Sequence, residues 1–262
     1  KVKEKVLHYQ MLISDEVHIL GAKSCYKLTK YFKNAFYRYG FSATPLYRDE
    51  ALLVEAAIGP VLYEKSIKDI SGQYIADAKI VFVPFRHLPA SKYLTYTDVY
   101  REKVVFNEER NKVIANLAAR FKDKKTLIAV RQVEHGKVLE EMIPGAKFVY
   151  GNLSAAQRVK ILNEFENGSL QTVIITCVWE QGIDIPQAEV LIDARAEKSK
   201  LAFIQLIGRV LRKTTNKHKS LIIDIADERV RWLSQHTKER IDIAIKEFGK
   251  EAVFKLKNER QN

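Results

Sequence analysis

Asp15-Glu16-Val17-His18 closes the apolar run Met11-Leu12-Ile13, which places two adjacent carboxylates at the end of a strand. Asp15 can hold Mg²⁺ on a nucleotide while Glu16 polarises a water, the division of labour that metal-assisted phosphoryl transfer requires. That reaction develops negative charge on the γ-phosphate. Gln205-Leu206-Ile207-Gly208-Arg209-Val210-Leu211-Arg212 supplies two arginines three residues apart, and on a helix such positions share a face, so Arg209 and Arg212 can meet one anion. Each string has an ordinary alternative: a solvated loop for the acidic pair, an exposed basic helix face for the arginines. Gly208 weighs against the second, because glycine inside a helix costs roughly 1 kcal/mol relative to alanine, a cost that close backbone approach to a ligand would justify.

A third string lies between them. Thr176-Cys177-Val178-Trp179-Glu180-Gln181-Gly182-Ile183-Asp184-Ile185-Pro186 leaves the buried run Val173-Ile174-Ile175. Gly182 can bring backbone close to a phosphate, and Asp184 can accept hydrogen bonds from a ribose hydroxyl; ordinary turn chemistry is the alternative. Ser42-Ala43-Thr44-Pro45 follows a second strand-like run near the start of the chain.

The elements that must position these residues alternate between strand and helix. Residues 8–14 and 36–42 read as short buried strands around a helix over 23–33, and each delivers polar residues at its C-terminal end, where open α/β sheets place their chemistry. Residues 51–57 read as a helix stopped by Gly59-Pro60, and 79–84 as a strand. Residues 91–102, rich in Tyr and Thr, read as a linker. Beyond it, Asn107 caps a helix with apolar positions Val113, Ile114, Leu117, Ala118 and Phe121, and Thr126 to Val130 reads as a fully buried strand. A helix over 133–142, a strand at 146–150, a helix capped by Ser154 and ended by Gly168, and strands at 172–176 and 189–193 follow. A helix over 199–212, a strand at 220–225 and a long amphipathic helix complete the pattern. The resulting expectation is an α/β fold with a mainly parallel sheet.

With 262 residues and 47% hydrophobic content, the chain can fill two cores. Its formal charge of +12 predicts attraction to a polyanion, nucleic acid above all; 14 Lys/Arg stand against 10 Asp/Glu in the first hundred residues, so the remainder holds +8. Two cysteines, Cys25 and Cys177, make neither a disulfide framework nor a zinc site and point to a reducing cytoplasm. No stretch approaches the roughly 20 apolar residues of a membrane span, and no signal core follows the Lys-rich start.

Taken together, the four strings resemble the motifs of superfamily 2 helicases. Asp15-Glu16-Val17-His18 is similar to motif II, Ser42-Ala43-Thr44 to motif III, Thr176 to Pro186 to motif V, and Gln205 to Arg212 to motif VI. Tyr37 to Pro45 and Ile207 to Lys213 are especially similar to the XPB-like branch and to phage UvsW-type helicases. The resemblance covers about residues 8–225. It implies residues 1–90 as the C-terminal part of a first RecA-like lobe and 103–262 as a complete second lobe, with ATP between the lobes and nucleic acid across them. It also implies that Asp15 binds Mg²⁺, that Glu16 is the catalytic base, and that His18, Ser42 and Thr44 couple the phosphate site to lobe movement. Gly182 and Asp184 would approach the nucleotide, Gln205 would organise the cleft, and Arg209 and Arg212 would act as arginine fingers. Arg131, Gly151 and Thr176 would contact the sugar-phosphate backbone.

The family's phosphate-binding loop, Gly-x-x-x-x-Gly-Lys-Ser/Thr ahead of motif II, is absent from these residues: Gly136-Lys137 precedes Val138 and Gly249-Lys250 precedes Glu251. The expectation is therefore a C-terminal fragment whose missing half-lobe lies upstream, inactive by itself. The resemblance favours DNA, typically branched or damaged, whereas the residues carry no reader that separates DNA from RNA. A double-strand translocase that does not unwind, and a non-enzymatic nucleic-acid-binding module, share these motifs as rival readings. The residues specify neither direction of movement nor oligomeric state.

Overall fold

A computed structural model describes residues 2–43, 51–89, 95–176, 187–214 and 217–256. The chain divides into two units, Lys1–Lys65 and Ser66–Asn262.

In the first unit, α1 (Val2–Val6) precedes β1 (Met11–Ser14), a 3₁₀ turn over Val17–Gly21, α2 (Lys23–Thr29), β2 (Tyr37–Gly40) and α3 (Ala51–Ile58). β1 and β2 pair in parallel from Met11 opposite Tyr37 to Ser14 opposite Gly40. Both alternate exposed and half-buried positions, which differs from the buried strands expected of their apolar residues. Parallel strands become buried when helices cover both faces, and here the described partners are few. Gly40 is required by packing: a Cβ there would lie 2.5 Å from Cγ2 of buried Val17. The Arg38 guanidinium ties the unit together by donating to the carbonyls of Ala35, Ala57 and Phe32 at 3.0, 3.0 and 2.7 Å.

The second unit opens with α4 (Ile67–Ile70), β3 (Asp77–Arg86), and α5 (Tyr96–Tyr100), which runs into a π-helical turn over Arg101–Val105. Then come α6 (Glu108–Arg120), β4 (Thr126–Val130), α7 (Val133–Met142), β5 (Lys147–Val149), α8 (Ala155–Asn167), β6 (Thr172–Thr176) and β7 (Val190–Asp193). The last elements are α9 (Lys200–Val210), β8 (Lys219–Glu228), α10 (Arg231–Phe248) and β9 (Val253–Lys255). Seven strands form one sheet in the order β5-β6-β4-β7-β8-β3-β9, every neighbouring pair parallel. Alternate residues of each strand feed opposite layers. Leu127 and Ala129 of β4 pack with Phe165, Phe203, Leu206, Ile207 and Phe248 from α8, α9 and α10, while Ile128 and Val130 pack with Ile114, Ala118 and Leu139 from α6 and α7. Burying both faces explains why β4 and β6 are continuous apolar runs.

Local signals set the helix ends. Asn107 Oδ1 accepts from the Arg110 amide at 2.9 Å, Ser154 forms the expected capping box with Gln157, and Gly168 closes α8 at φ 83°. The division between units differs from the boundary expected at 91–102. Asp77–Arg86 pairs along its whole length with Lys219–Glu228, so β3 belongs to the second sheet. Within the expected linker, Val99 and Tyr100 are buried with Val104, Val105, Val230 and Leu233. Tyr and Thr composition suggested a connector, but the apolar spacing at 99, 100, 104 and 105 serves a core. No helix among the described residues is long and apolar enough to cross a membrane.

Candidate nucleotide and nucleic-acid sites

Asp15 follows β1 directly and is exposed; its Oδ1 accepts from the Glu16 amide at 2.8 Å. Glu16 has φ 49° and ψ 49°, the left-handed region that costs a side-chain-bearing residue about 1–2 kcal/mol. Non-glycine residues held in such conformations gather at functional sites. The turn places Glu16 Oε2 3.3 Å from His18 Nδ1, which also lies 2.9 Å from Ser42 Oγ. Three residues singled out from two motifs are thus brought together at the ends of two paired strands. Thr44 lies outside the described residues. Two neighbouring carboxylates suit Mg²⁺, a hard cation that takes one or two carboxylates and completes its shell with phosphate and water oxygens. No group of three or more His, Cys, Asp or Glu side chains assembles an all-protein cage among the described residues.

In the second unit, Ser199 caps α9 by accepting from the Ala202 amide at 3.2 Å. Phe203, Ile204, Leu206, Ile207 and Val210 face the core, which leaves Gln205, Gly208 and Arg209 on the outer stripe. The helix ends at Val210, before the expected 212. Arg212 instead forms an antiparallel bridge with Ile75, next to the Ala76 amide bonded to Leu211 O at 2.8 Å. The sequence spacing keeps Arg212 one turn from Arg209, but a strand-like contact fixes it. A Cβ at Gly208 would meet nothing within 4 Å among the described residues, so internal packing does not demand this glycine. Gly182 and Asp184 lie outside the described residues.

Arg131, Gly151 and Thr176 follow or end β4, β5 and β6, three adjacent strands, at their C-terminal edge. Val130 stands opposite Thr176, and Val149 opposite Ile175, so the register aligns all three positions. Arg131 and Gly151 are exposed, whereas Thr176 is buried and its Oγ1 has no hydrogen-bond partner among the described residues. Lys217, five residues after Arg212, points inward. It donates to the carbonyls of Val210 and Ala188, satisfying the end of α9, and burial lowers its pKa to about 8.

Sequence reasoning missed the buried ion pairs beneath this edge. Arg110 donates to Asp227 at 2.8 and 3.1 Å, Arg195 to Asp193 at 2.9 and 2.8 Å, and Arg240 to Asp224 at 2.7 and 2.9 Å. His87 Nε2 adds a 2.7 Å bond to Asp227. Burial pushes Asp227 up, but Arg110 and the His87 hydrogen bond outweigh it and bring the carboxyl to about 2. Burial likewise opposes ionisation of Asp193, and Arg195 wins, lowering its pKa. The available signal was three aspartates within apolar strand runs, Val190-Leu191-Ile192-Asp193 and Leu221-Ile222-Ile223-Asp224-Ile225-Ala226-Asp227, since buried carboxylates demand partners.

Residues 107–214 match the helicase conserved C-terminal domain. The chain is 25% identical over 263 residues to the DNA 3'-5' translocase XPB2 of Sulfurisphaera tokodaii, covering 83% of this chain and 58% of that protein. It is 26% identical over 256 residues to the ATP-dependent DNA helicase uvsW of Enterobacteria phage T4, covering 91% of this chain and 50% of that protein. The chain spans about half the length of the curated relatives it matches. The crystal structure of T4 UvsW shares the fold, with a TM-score of 0.57 and 22% identity over 97% of this chain and 55% of that one.

Proposed function

We propose that the chain is a member of the superfamily 2 helicases and part of an ATP-dependent motor that moves on or remodels DNA, branched DNA in particular. The observation that carries the reading is the left-handed Glu16 held against His18, which in turn meets Ser42, at the ends of β1 and β2. A solvated acidic loop has no need of that backbone or of that pair of contacts.

In this reading, ATP is the substrate and Asp15 holds its Mg²⁺. The metal supplies positive charge to the phosphate oxygens when bound. Glu16 orients the attacking water and accepts its proton, and its contact with His18 couples the protonation state to Ser42 and the strand beyond. Arg209 and Arg212 neutralise charge on the γ-phosphate, with Gly208 allowing close approach and Gln205 ordering the same stripe. Thr44, Gly182 and Asp184 take their coupling and nucleotide-binding roles from the helicase resemblance. Arg131, Gly151 and Thr176 hold the sugar-phosphate backbone at the strand ends, so binding is steeply salt-dependent and nearly indifferent to sequence.

The test is strand displacement on a forked DNA by the native polypeptide that contains this sequence, run beside displacement of a protein block from duplex DNA. ATP-dependent displacement of the strand supports a helicase, and displacement of the block alone supports a duplex translocase. Neither activity, with tight DNA binding retained, would leave the binding module.

A further inference from the structure

At the C-terminal edge of the second sheet, beside Arg131, an open pocket of about 390 Å³ is lined by Tyr96, Arg131, Glu197, Lys198, Trp232 and His236. None of these except Arg131 belongs to a helicase motif identified above. We propose that this pocket receives a nucleobase of a single strand, with the Trp232 indole as its stacking platform and Arg131 and Lys198 at its rim attracting the flanking phosphates. The proposal rests on the nucleic-acid-binding reading given above and adds to it a contact with the base itself.

The aromatic groups are arranged as a surface rather than a core. Trp232 stands edge-on to Tyr96, with ring centroids 6.1 Å apart and planes at 82°, and His236 meets Tyr96 at 5.7 Å and 64°. One such contact covers at most one face of the indole, and Trp232 is 37% exposed, whereas its neighbour Tyr100 is buried. A large aromatic face left in solvent beside fixed cations is the combination that binds single strands without reading their sequence. The cavity volume falls within the roughly 300–1,000 Å³ of small-ligand clefts.

The walls are preorganised by groups that have no other evident task. Arg131 reaches Tyr96 Oη at 3.3 Å and Glu197 at 3.3 Å, and stacks over Tyr100 at 5.4 Å. The loop bearing Glu197 and Lys198 is pinned from below. Tyr100 Oη donates to Arg195 O at 2.7 Å, Arg240 donates to Glu197 O at 2.7 Å, and His236 Nδ1 donates to Ala196 O at 3.2 Å. Ala196 itself sits at φ 54°, a strained conformation that these three bonds hold. Burial lowers the His236 pKa, so its ring is neutral at pH 7 and brings no charge to the base. The residues come from α5, the turn after β4, the loop after β7, and α10, so a site and not one helix face is built here.

The experiment compares binding of the 262-residue chain to a 20-nucleotide oligothymidylate and to an abasic 20-mer of equal phosphate number. The expected result is tighter binding of oligothymidylate by roughly 5- to 150-fold, the worth of one stacked base. Trp232→Ala removes that preference while abasic affinity stays within about twofold, which also reports that the variant is folded. Should Trp232→Ala fail to fold, Trp232→Phe serves, and it is expected to keep part of the preference while losing the share of oligothymidylate-dependent indole quenching that Trp232 contributes beyond Trp179. Equal wild-type affinity for the two oligomers, or a preference that survives Trp232→Ala, overturns the stacking site and leaves the backbone contacts standing. Failure of both oligomers to bind overturns the nucleic-acid reading as well.

Discussion

Two helical glycines provide the sharpest prediction, because the same substitution should act with opposite signs. Alanine is favoured over glycine in a helix interior by about 1 kcal/mol. At Gly208 on α9 the new Cβ finds open space among the described residues, so Gly208→Ala should realise that gain and raise the unfolding midpoint by about 2–4 °C. At Gly136 on α7 the Cβ would lie 2.2 Å from Cε2 and Cζ of Phe148. That ring cannot withdraw easily: Phe148 is buried and stacked on Tyr150 at 4.9 Å and 19°. Contacts between carbons become repulsive well outside 3 Å, so the ring or the helix must shift by more than 1 Å. Overpacking of this kind costs about 1–3 kcal/mol. Taking the upper part of that range against the helical gain, Gly136→Ala should lose about 1–2 kcal/mol. Urea and thermal unfolding of the two single variants, followed by circular dichroism, measures both. An unchanged or more stable Gly136→Ala, or a Gly208→Ala less stable than the wild type, would refute the reasoning. The functional sign should reverse at Gly208: under the proposed function the added methyl would stand where the nucleotide approaches, so the more stable variant should hydrolyse ATP more slowly in the native polypeptide.

Removing Arg110 should be severe, since Arg110→Ala leaves Asp227 fully buried with only His87 beside it. A loss of about 3–5 kcal/mol is expected in urea unfolding, and a variant within 1 kcal/mol of wild type would contradict the pairing. Acid should destabilise the second unit through His135, which is buried and donates from Nε2 to Asn111 Oδ1 at 2.9 Å. Burial, aided by Arg110, lowers its pKa from 6.5 to about 3, so the unfolded chain takes the proton first. Stability is therefore full above pH 6.5 and falls as pH drops toward 3, by an amount on the order of 4 kcal/mol. Unfolding free energies measured across that range in wild type and His135→Gln should converge at low pH; parallel curves would show that His135 is not the group responsible.

Much of the second unit was legible in the sequence because its signals are local. Thr126 to Val130 reads as a buried strand, Asn107 and Ser154 announce caps three residues ahead, and Gly168 supplies the positive φ that ends α8. Misreadings arose where the deciding partner lies far away. β3 looked like the close of the first lobe because its place depends on β8, whose residues follow some 140 positions later. Nothing near Lys217 in the sequence signals its burial, because the carbonyls of Val210 and Ala188 that it serves come together only in the fold. Arg212 kept its spacing from Arg209 but owes its position to Ile75. The acidic motif was readable as chemistry, yet the left-handed turn that presents Glu16 to His18 has no sequence signature, since Glu disfavours it.

The central proposal is that Glu16 and Arg212 both act in ATP hydrolysis. Its most direct test is ATP hydrolysis stimulated by single-stranded DNA, measured for the native polypeptide and for its Glu16→Gln and Arg212→Ala variants. Each substitution should reduce turnover by about 10³-fold or more while DNA affinity changes little. Turnover within tenfold of the wild type in either variant would contradict the account.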